Sequence, residues 1–295
     1  MVSLSRRAVL RSGLLAGVAA FAGCGGSETP STGTTPSPTP TETPLPSVFE
    51  DIEVEGEALV VRLVDDHEVS KVNLIAPDGT LFGQTTVPTG ATTARIEILD
   101  INWGLASYDH YEPGRYTLVA VLGSDSVSVP IDLNPELRIL DISQYRAGER
   151  TADLAQIAVR IENVGTGPTW VYDIAYRNAL SWDGTTELSG PGIPGVTEPT
   201  TPDGVLLSPG EEQTYVGSLS PLLVTDAETE PCDFEREMDV IVGIATGQTL
   251  EQTVKITGGG ESRTADITGN FVCSTVEVES VERVGSTEPT TERGV

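Results

Sequence analysis

The sequence contains few of the residues on which most catalytic and nucleic-acid-binding sites depend. Three of its 295 residues are cysteine, two are histidine and 17 are lysine or arginine, against 44 aspartate and glutamate residues. The formal net charge of −27 repels phosphate groups, which argues against nucleic acid as a partner. Only Lys71 and Lys255 are lysines, and neither completes the Gly-Lys pair of a phosphate-binding loop. Nucleotide hydrolysis is therefore not predicted.

Other enzyme signatures are missing as well. The sequence has neither the Gly-x-Ser-x-Gly elbow of serine hydrolases nor the His-Glu-x-x-His of zinc proteases. Residues 190–195 fit Gly-x-Gly-x-x-Gly formally, but they include two prolines and precede no predicted helix, so we interpret them as a loop. No catalytic residue is predicted, and the chain is expected not to be an enzyme. Adjacent carboxylates such as Glu211 and Glu212 leave a carboxylate-dependent hydrolase as an alternative.

The N-terminal residues are typical of an export signal. Arg6 and Arg7 precede an apolar stretch shorter than the roughly 20 residues that span a bilayer as a helix. The arginine pair resembles the twin-arginine (Tat) signal, and Phe-Ala-Gly-Cys at residues 21–24 resembles a lipobox. The resemblance implies that residues 1–23 are removed and that Cys24 carries lipid, which anchors an outward-facing protein to the cell membrane on the extracellular side. An ordinary signal peptide or an uncleaved anchor is the alternative.

The acidic composition suggests the environment of the protein. Low lysine with abundant aspartate and glutamate resembles the proteomes of extreme halophiles, so the chain is similar to a haloarchaeal Tat-exported lipoprotein. Molar salt screens charges over about 3 Å, which relieves the self-repulsion of such a chain. We therefore expect the protein to loosen in dilute buffer. An acidic secreted protein of a mesophile is the alternative.

Composition divides the chain into five segments. The signal peptide of residues 1–23 is followed at residues 24–47 by the lipidated cysteine and a disordered stalk rich in serine, threonine and proline. Residues 48–134 and 135–283 alternate apolar with polar residues and are rich in β-branched side chains. This pattern predicts an all-β fold with two immunoglobulin-like β-sandwich domains. A proline directly after the boundary discourages a strand that runs through it, and residues 284–295 are predicted to be a disordered tail.

The alternation also places individual strands. Strands are predicted at 94–98, 116–122 and 126–131 in the first domain, and at 157–161, 171–176, 213–217, 240–245, 250–256 and 271–278 in the second. Strand 116–122 is expected to be buried on both faces, and Pro77-Asp78-Gly79 is expected to be a tight turn. Tyr111 to Tyr116 resembles the turn and tyrosine entry of immunoglobulin-like domains. Residues 183–209 are predicted to be a long loop outside the core.

Two turns carry a more specific resemblance. Asn-Val-Gly-Thr at residues 163–166 and Leu-Ser-Pro-Gly-Glu at residues 207–211 resemble the recurring turns of the CARDB family, a cell-adhesion-related domain of bacteria and archaea. The resemblance covers about residues 137–258 and implies an immunoglobulin-like sandwich that serves binding or adhesion. We expect Asn163 to satisfy local backbone groups and Gly165 to adopt a positive φ at a strand exit.

The three cysteines are predicted to serve as one lipid attachment site and one pair. If Cys24 carries lipid, Cys232 and Cys273 remain as an even pair outside the cell, where disulfides persist. Closing a loop of about 41 residues would contribute roughly 4 kcal/mol in the chain-entropy model. A metal site built on both cysteines is the rival interpretation, but the Cys-His spacing of zinc sites is missing.

A few residues are candidates for ligand binding. His67 and His110 stand among acidic residues and would form an open divalent-metal site if the fold brought them together. Asp183 and Asp203 lie in Asp-Gly turns that could donate oxygen ligands to calcium, although a solvated acidic surface explains the same residues. No other cofactor is predicted. Trp182, beside the long loop, is the candidate for stacking against a carbohydrate.

The resulting functional hypothesis is a lipid-anchored surface protein that acts in binding or adhesion. Its expected partners are the membrane, through lipid on Cys24, and an S-layer, a surface glycan or an envelope protein complex. An extracytoplasmic subunit of a transporter or envelope complex is a second hypothesis, and the hydrolase is a third.

Overall fold

The structure is a computed structural model that describes residues 46–102, 107–148, 150–181, 186–224, 232–265 and 269–281. Arg6, Arg7 and Cys24 lie outside the described residues, as do most of the predicted stalk and the predicted tail. Within the described part of the chain, no helix is long and apolar enough to cross a membrane.

Nine strands form the first group of sheets within the described residues. They are β1 (Phe49–Glu55), β2 (Ala58–Leu63), β3 (Val69–Ile75), β4 (Leu81–Thr86), β5 (Thr93–Glu97), β6 (Leu99–Asn102), β7 (Ser107–His110), β8 (Gly114–Leu122) and β9 (Asp125–Leu133). One sheet has the order β1-β2-β5, a second has the order β4-β3-β8-β9, and β6 pairs with β7 as a ribbon. All of these pairings are antiparallel.

Eight strands and two short helical turns follow the predicted boundary. They are β10 (Leu137–Gln144), a 3₁₀ turn (Thr151–Ala155), β11 (Ile157–Asn163), β12 (Thr169–Arg177), α1 (Pro202–Val205), β13 (Leu206–Leu207), β14 (Glu212–Val216), β15 (Glu235–Ile244), β16 (Thr249–Thr264) and β17 (Phe271–Ser280). The sheet β10-β11-β14 packs with the sheet β13-β12-β15-β16-β17. The first group of sheets is called here the first sandwich and the second group the second sandwich, and both belong to one compact unit with a continuous apolar core.

The all-β fold is confirmed, and each predicted strand overlaps an observed one. Two expectations about burial were wrong. Strand β8 buries Tyr116 and Leu118 but exposes Thr117, because one of its faces lies in the core and the other meets solvent. The segment 183–209 is not wholly outside the core, since two of its own residues, Val205 and Leu207, are completely buried.

Local turns follow the chemistry of their residues. The amide of Gly79 donates to the carbonyl of Ala76 at 2.9 Å, and Gly79 has a φ of +86°, so the predicted Pro-Asp-Gly turn is confirmed. The hydroxyl of Tyr116 donates to the carbonyl of Glu112, four residues upstream, at 2.9 Å. This bond has the geometry of the tyrosine corner of immunoglobulin-like sandwiches.

The predicted disulfide between Cys232 and Cys273 is present, with a Cα–Cα distance of 5.6 Å. Cys273 lies on β17 and is buried, whereas Cys232 lies just before β15. The bond therefore ties β17, which pairs only with β16 along most of its length, to the segment that enters the middle of the same sheet.

Candidate functional site

A polar pocket opens at one end of the second sandwich and is called here the end pocket. Its volume is about 470 Å³, and it is lined by Tyr145, Ala147, Gly148, Arg150, Asp153, Gln156, Thr197 and Glu198. Two stretches of chain supply these residues: the connection from β10 to β11, and the segment that pairs with the end of β14 through the bridge Glu198–Val216.

The direction of the strands fixes the position of the end pocket. Strand β10 begins at Leu137, directly after the boundary between the two groups of sheets, and ends at Gln144 beside the pocket. Seven steps of about 3.3 Å from Leu137 to Gln144 place the pocket roughly 23 Å from that boundary. The end pocket therefore lies at the end of the second sandwich that faces away from the first.

An ion pair holds one wall of the end pocket. The guanidinium of Arg150 donates to Asp153 Oδ1 from Nη2 at 2.8 Å and from Nε at 3.1 Å, and the amide of Arg150 donates to Asp153 Oδ2 at 2.9 Å. A Cβ added at Gly148 would overlap the Asp153 side chain, so the glycine allows this close packing. The Asp153 side chain is 10% exposed and that of Arg150 is 81% exposed. The buried carboxylate thus orients a guanidinium that faces solvent.

Hydrogen bonds fix the rest of the pocket. The amide of Tyr145 donates to the carbonyl of Gln156 at 3.0 Å, and Gln156 Nε2 donates to the carbonyl of Gly217 at 3.0 Å. On the opposite side, the amide of Thr197 donates to the carbonyl of Val216 at 2.8 Å, and the amide of Val216 donates to the carbonyl of Glu198 at 2.9 Å. Both lining stretches are therefore attached to the sheet and need little reordering to receive a ligand.

The charges of the end pocket act on its titratable groups. Burial alone would raise the pKa of Asp153, but hydrogen bonds from the amide and guanidinium of Arg150 outweigh it and lower the pKa. Burial raises the pKa of Tyr145, and the nearby carboxylates of Glu198 and Asp153 add to the effect. At neutral pH the end pocket therefore contains an ionised carboxylate and a neutral phenol.

A buried glutamine supports the end pocket from behind. Gln144 Nε2 donates to the carbonyls of Leu154 and Cys273, each at 2.9 Å, and its Oε1 accepts the amide of Val276 at 3.0 Å. The side-chain amide thus satisfies two backbone groups of β17 and connects the two sheets of the sandwich.

The opposite end of the second sandwich is closed by Asn163, which is completely buried. Its Nδ2 donates to the carbonyls of Gly167 at 2.8 Å and Leu207 at 3.0 Å, and its Oδ1 accepts the amides of Gly165 at 3.0 Å and Glu136 at 3.3 Å. The expectation that Asn163 satisfies backbone groups is confirmed. These bonds connect the turns at residues 163–167 and 207–211 to the start of β10.

Gly165 does not have a positive φ, so this expectation was wrong. A Cβ at this position would overlap the carbonyl oxygen of Asn134 and the amide nitrogen of Glu136, so glycine is needed for close approach of the backbones. In the second turn Gly210 does have a positive φ, +77°, and the amide of Glu211 donates to the carbonyl of Ser208 at 3.1 Å. These features are those of a type II Pro-Gly turn.

His110 lies between the two sandwiches. Its ring stacks on Tyr111 with centroids 4.5 Å apart and lies 5.1 Å from the Trp170 ring. The Nδ1 is 2.6 Å from the carbonyl oxygen of Tyr111 and the Nε2 is 3.2 Å from Thr169 Oγ1. Burial lowers the pKa of His110, although the hydrogen bond to Tyr111 and the charge of Asp109 oppose the effect. A neutral imidazole with its proton on Nδ1 satisfies both contacts.

His67 lies in a different setting, the connection between β2 and β3. Its Nδ1 accepts the amide of Val69 at 3.1 Å, and its Nε2 donates to the carbonyl of Ala91 at 2.8 Å. Both ring nitrogens are therefore engaged with the backbone. The structure does not bring His67 and His110 into one cluster, and among the residues it describes no group of three histidine, cysteine or acidic side chains could hold a metal ion.

The other candidate residues receive little structural information. Asp183 and Trp182 lie outside the described residues, and Asp203 falls within α1, where the structure describes its backbone but not its side chain. Trp170 is completely buried, and its Nε1 donates to the carbonyl of Gly192 at 3.0 Å, so this indole belongs to the core. Calcium binding remains a prediction.

The residues of the end pocket were not predicted from the sequence. Thr197 and Glu198 are about 40 positions from Gln156, and only the pairing of residue 198 with β14 brings the two stretches together. One local signal was available: Arg150 and Asp153 have the i, i+3 spacing of an ion pair, and the pair begins two residues after Gly148.

No protein-family model matches the chain, and no curated protein matches it at a significant level. The resemblance to CARDB domains therefore rests on the two turns alone.

Proposed function

We propose that the chain is a lipid-anchored cell-surface protein that binds a component of the cell envelope at the end pocket and performs no catalysis. The observation that carries the proposal is the end pocket itself, a set of polar side chains held in place at the end of the second sandwich that faces away from the first. Loops at the ends of β-sandwiches are common binding surfaces because the strands hold them rigidly.

The contacts between the two sandwiches support a role in presentation. The hydroxyl of Tyr111 donates to the carbonyl of Pro168 at 2.8 Å, and the hydroxyl of Tyr108 donates to the carbonyl of Pro191 at 2.9 Å. Together with His110, these bonds attach the first sandwich to the base of the second. A lipid on Cys24 would then anchor a body whose binding end faces away from the first sandwich.

The electrostatics of the end pocket favour binding over hydrolysis. A carboxylic acid that protonates a leaving group needs a raised pKa, whereas hydrogen bonds from Arg150 lower the pKa of Asp153. A carboxylate that stays ionised and paired suits the orientation of a ligand.

The anchor is tested by substituting the proposed lipid attachment site. We expect Cys24→Ser to move the exported protein from the membrane fraction to the medium, and the double substitution Arg6→Lys and Arg7→Lys to retain it in the cytoplasm. Fractionation followed by mass spectrometry of the N-terminal peptide reads both results. An unmodified Cys24 peptide in wild-type protein would contradict the proposed anchor.

Binding is tested on the unanchored full chain. The purified Cys24→Ser protein, incubated with washed envelopes in molar salt, should bind saturably, and adding Arg150→Ala with Glu198→Ala should weaken binding at least tenfold. Arg138→Ala is the matched control, because Arg138 is an exposed arginine of the same sandwich that pairs with Glu162 near the opposite end. Equal binding by the pocket variant and the control would refute the role of the end pocket.

A further inference from the structure

We infer that the end pocket takes the terminal sugar of a neutral glycan. The inference rests on the proposed function, because it names the chemical class of the envelope component. Its basis is the combination of donors, acceptors and an aromatic ring that the pocket presents together.

The pocket offers hydrogen-bonding groups of both kinds. The guanidinium of Arg150 has only donors, and Asp153 occupies its Nε and one N–H of Nη2. Because the Arg150 side chain lines the pocket and is 81% exposed, its other N–H groups are accessible to a ligand. The carboxylate of Glu198 has only acceptors. A sugar hydroxyl donates and accepts at the same time, so adjacent hydroxyls of one ring can match both groups. Tyr145 adds an apolar ring with a polar tip, which suits a ligand with C–H and O–H groups.

The charges argue for a neutral ligand. An anion attracted by Arg150 would meet the carboxylates of Asp153 and Glu198, and a cation attracted by those carboxylates would meet the guanidinium. Hydrogen bonds to a neutral ligand also persist in molar salt, whereas the attraction between charges is screened over about 3 Å.

The shape argues for a glycan end. The volume of about 470 Å³ lies within the usual range for small-molecule sites, and only two stretches of chain line the pocket. Because these stretches are already hydrogen-bonded to the sheet, binding orders few side chains, and weak contacts with hydroxyls suffice for measurable affinity.

The test measures binding of defined sugars to the full chain with Cys24→Ser in molar potassium chloride. Glucose, galactose, mannose and N-acetylglucosamine are titrated by calorimetry and by NMR of the sugar, alongside glucuronate and calcium chloride. We expect saturable binding of at least one neutral sugar and at least tenfold weaker binding of glucuronate. Tyr145→Ala and Glu198→Gln should each weaken the binding at least fivefold, while Arg138→Ala leaves it unchanged.

Each other result counts against the inference. Tighter binding of glucuronate or calcium than of any neutral sugar overturns the ligand class, and sugar binding that the pocket variants do not alter overturns the site. Absence of sugar binding, while unanchored protein still binds envelopes through Arg150 and Glu198, overturns the inference and leaves the proposed function standing. Unchanged thermal unfolding of Glu198→Gln excludes loss of fold as the cause of weaker binding.

Discussion

The two ends of the β10–β11 hairpin are closed by the same chemical group in two different ways. At the boundary with the first sandwich, Asn163 satisfies backbone groups of nearby turns and of the linker. At the far end, Gln144 satisfies backbone groups of β17, more than 120 positions away in the sequence. Both side-chain amides are buried, and each forms hydrogen bonds of the kind that a backbone amide would form.

The two ends differ in what each amide joins. Asn163 joins its own turn and the turn at residues 207–211 to the linker, and Gly165 and Pro209 line a pocket of about 480 Å³ there together with Ile52 and Leu133 of the first sandwich. Gln144 joins its own connection, through the carbonyl of Leu154, to β17 of the facing sheet, and that connection lines the end pocket. The boundary end is therefore shared by both sandwiches, whereas the far end belongs to the second sandwich alone.

Asn163→Ala is expected to have the largest effect, because it leaves four backbone groups at the boundary end without their partner. Each buried polar group that loses its hydrogen bond costs about 1–3 kcal/mol, and partial relaxation should bring the total loss in the free energy of unfolding to roughly 3–5 kcal/mol. Denaturant unfolding in molar salt measures it. Asn134→Ala is the control, because this nearby side chain is exposed. Similar unfolding midpoints for the two variants would contradict the role given to Asn163.

Removal of the disulfide tests the far end. The bond joins residues 41 positions apart, and the chain-entropy model gives a loss of about 4 kcal/mol, with about 2–4 kcal/mol usual for such bonds. We expect the double substitution Cys232→Ala and Cys273→Ala to lower the free energy of unfolding by about 2–4 kcal/mol. If the far end depends on the disulfide, hydrogen exchange of the β17 amides should accelerate more than that of the β11 amides. Uniform acceleration would show that the two ends are not independent.

The sequence predicted features that depend on neighbouring residues. The strands follow from period-two alternation, the tyrosine corner from residues 111–116, and the disulfide from the parity of the cysteines. The hydrogen-bonding role of Asn163 was also predictable, since Gly165 and Gly167 lie within four positions of it. Apart from the disulfide, which the cysteine count of the whole chain indicates, each of these patterns is contained in a short segment.

The features that were missed or wrong depend on contacts between distant segments. The φ of Gly165 was predicted from its place in a turn, but the residue is constrained by the linker at residues 134–136. The end pocket requires residues 145–156 to meet residues 197–198, and the burial of Val205 requires that the loop folds back onto the core. The spacing of residues along the chain does not show which distant segments will contact each other in the fold.

Two glycines of the boundary end should respond unequally to alanine. In Gly165→Ala the new Cβ overlaps three backbone atoms that cannot rotate away, and the expected loss in the free energy of unfolding is about 3 kcal/mol. In Gly210→Ala no atom lies within 4 Å of the new Cβ, and the loss of about 1 kcal/mol comes from the positive φ alone. Thermal or denaturant unfolding of both variants measures the difference. Equal losses would contradict the role given to close packing at Gly165.

The smallest effect is expected from the protonation of His110, which lies at the boundary end. Its pKa is lower in the folded protein than in the unfolded chain, so the unfolded state binds the proton first and stability falls as the pH drops below about 6.5. The slope cannot exceed one proton, or about 1.4 kcal/mol per pH unit, and the charge of Asp109 reduces it. His110→Gln stays neutral, so the difference between the two stability–pH curves isolates this group from the carboxylates common to both proteins. The difference should grow as the pH falls from 7 to 5, and parallel curves would show that protonation of His110 does not weaken the contact between the sandwiches.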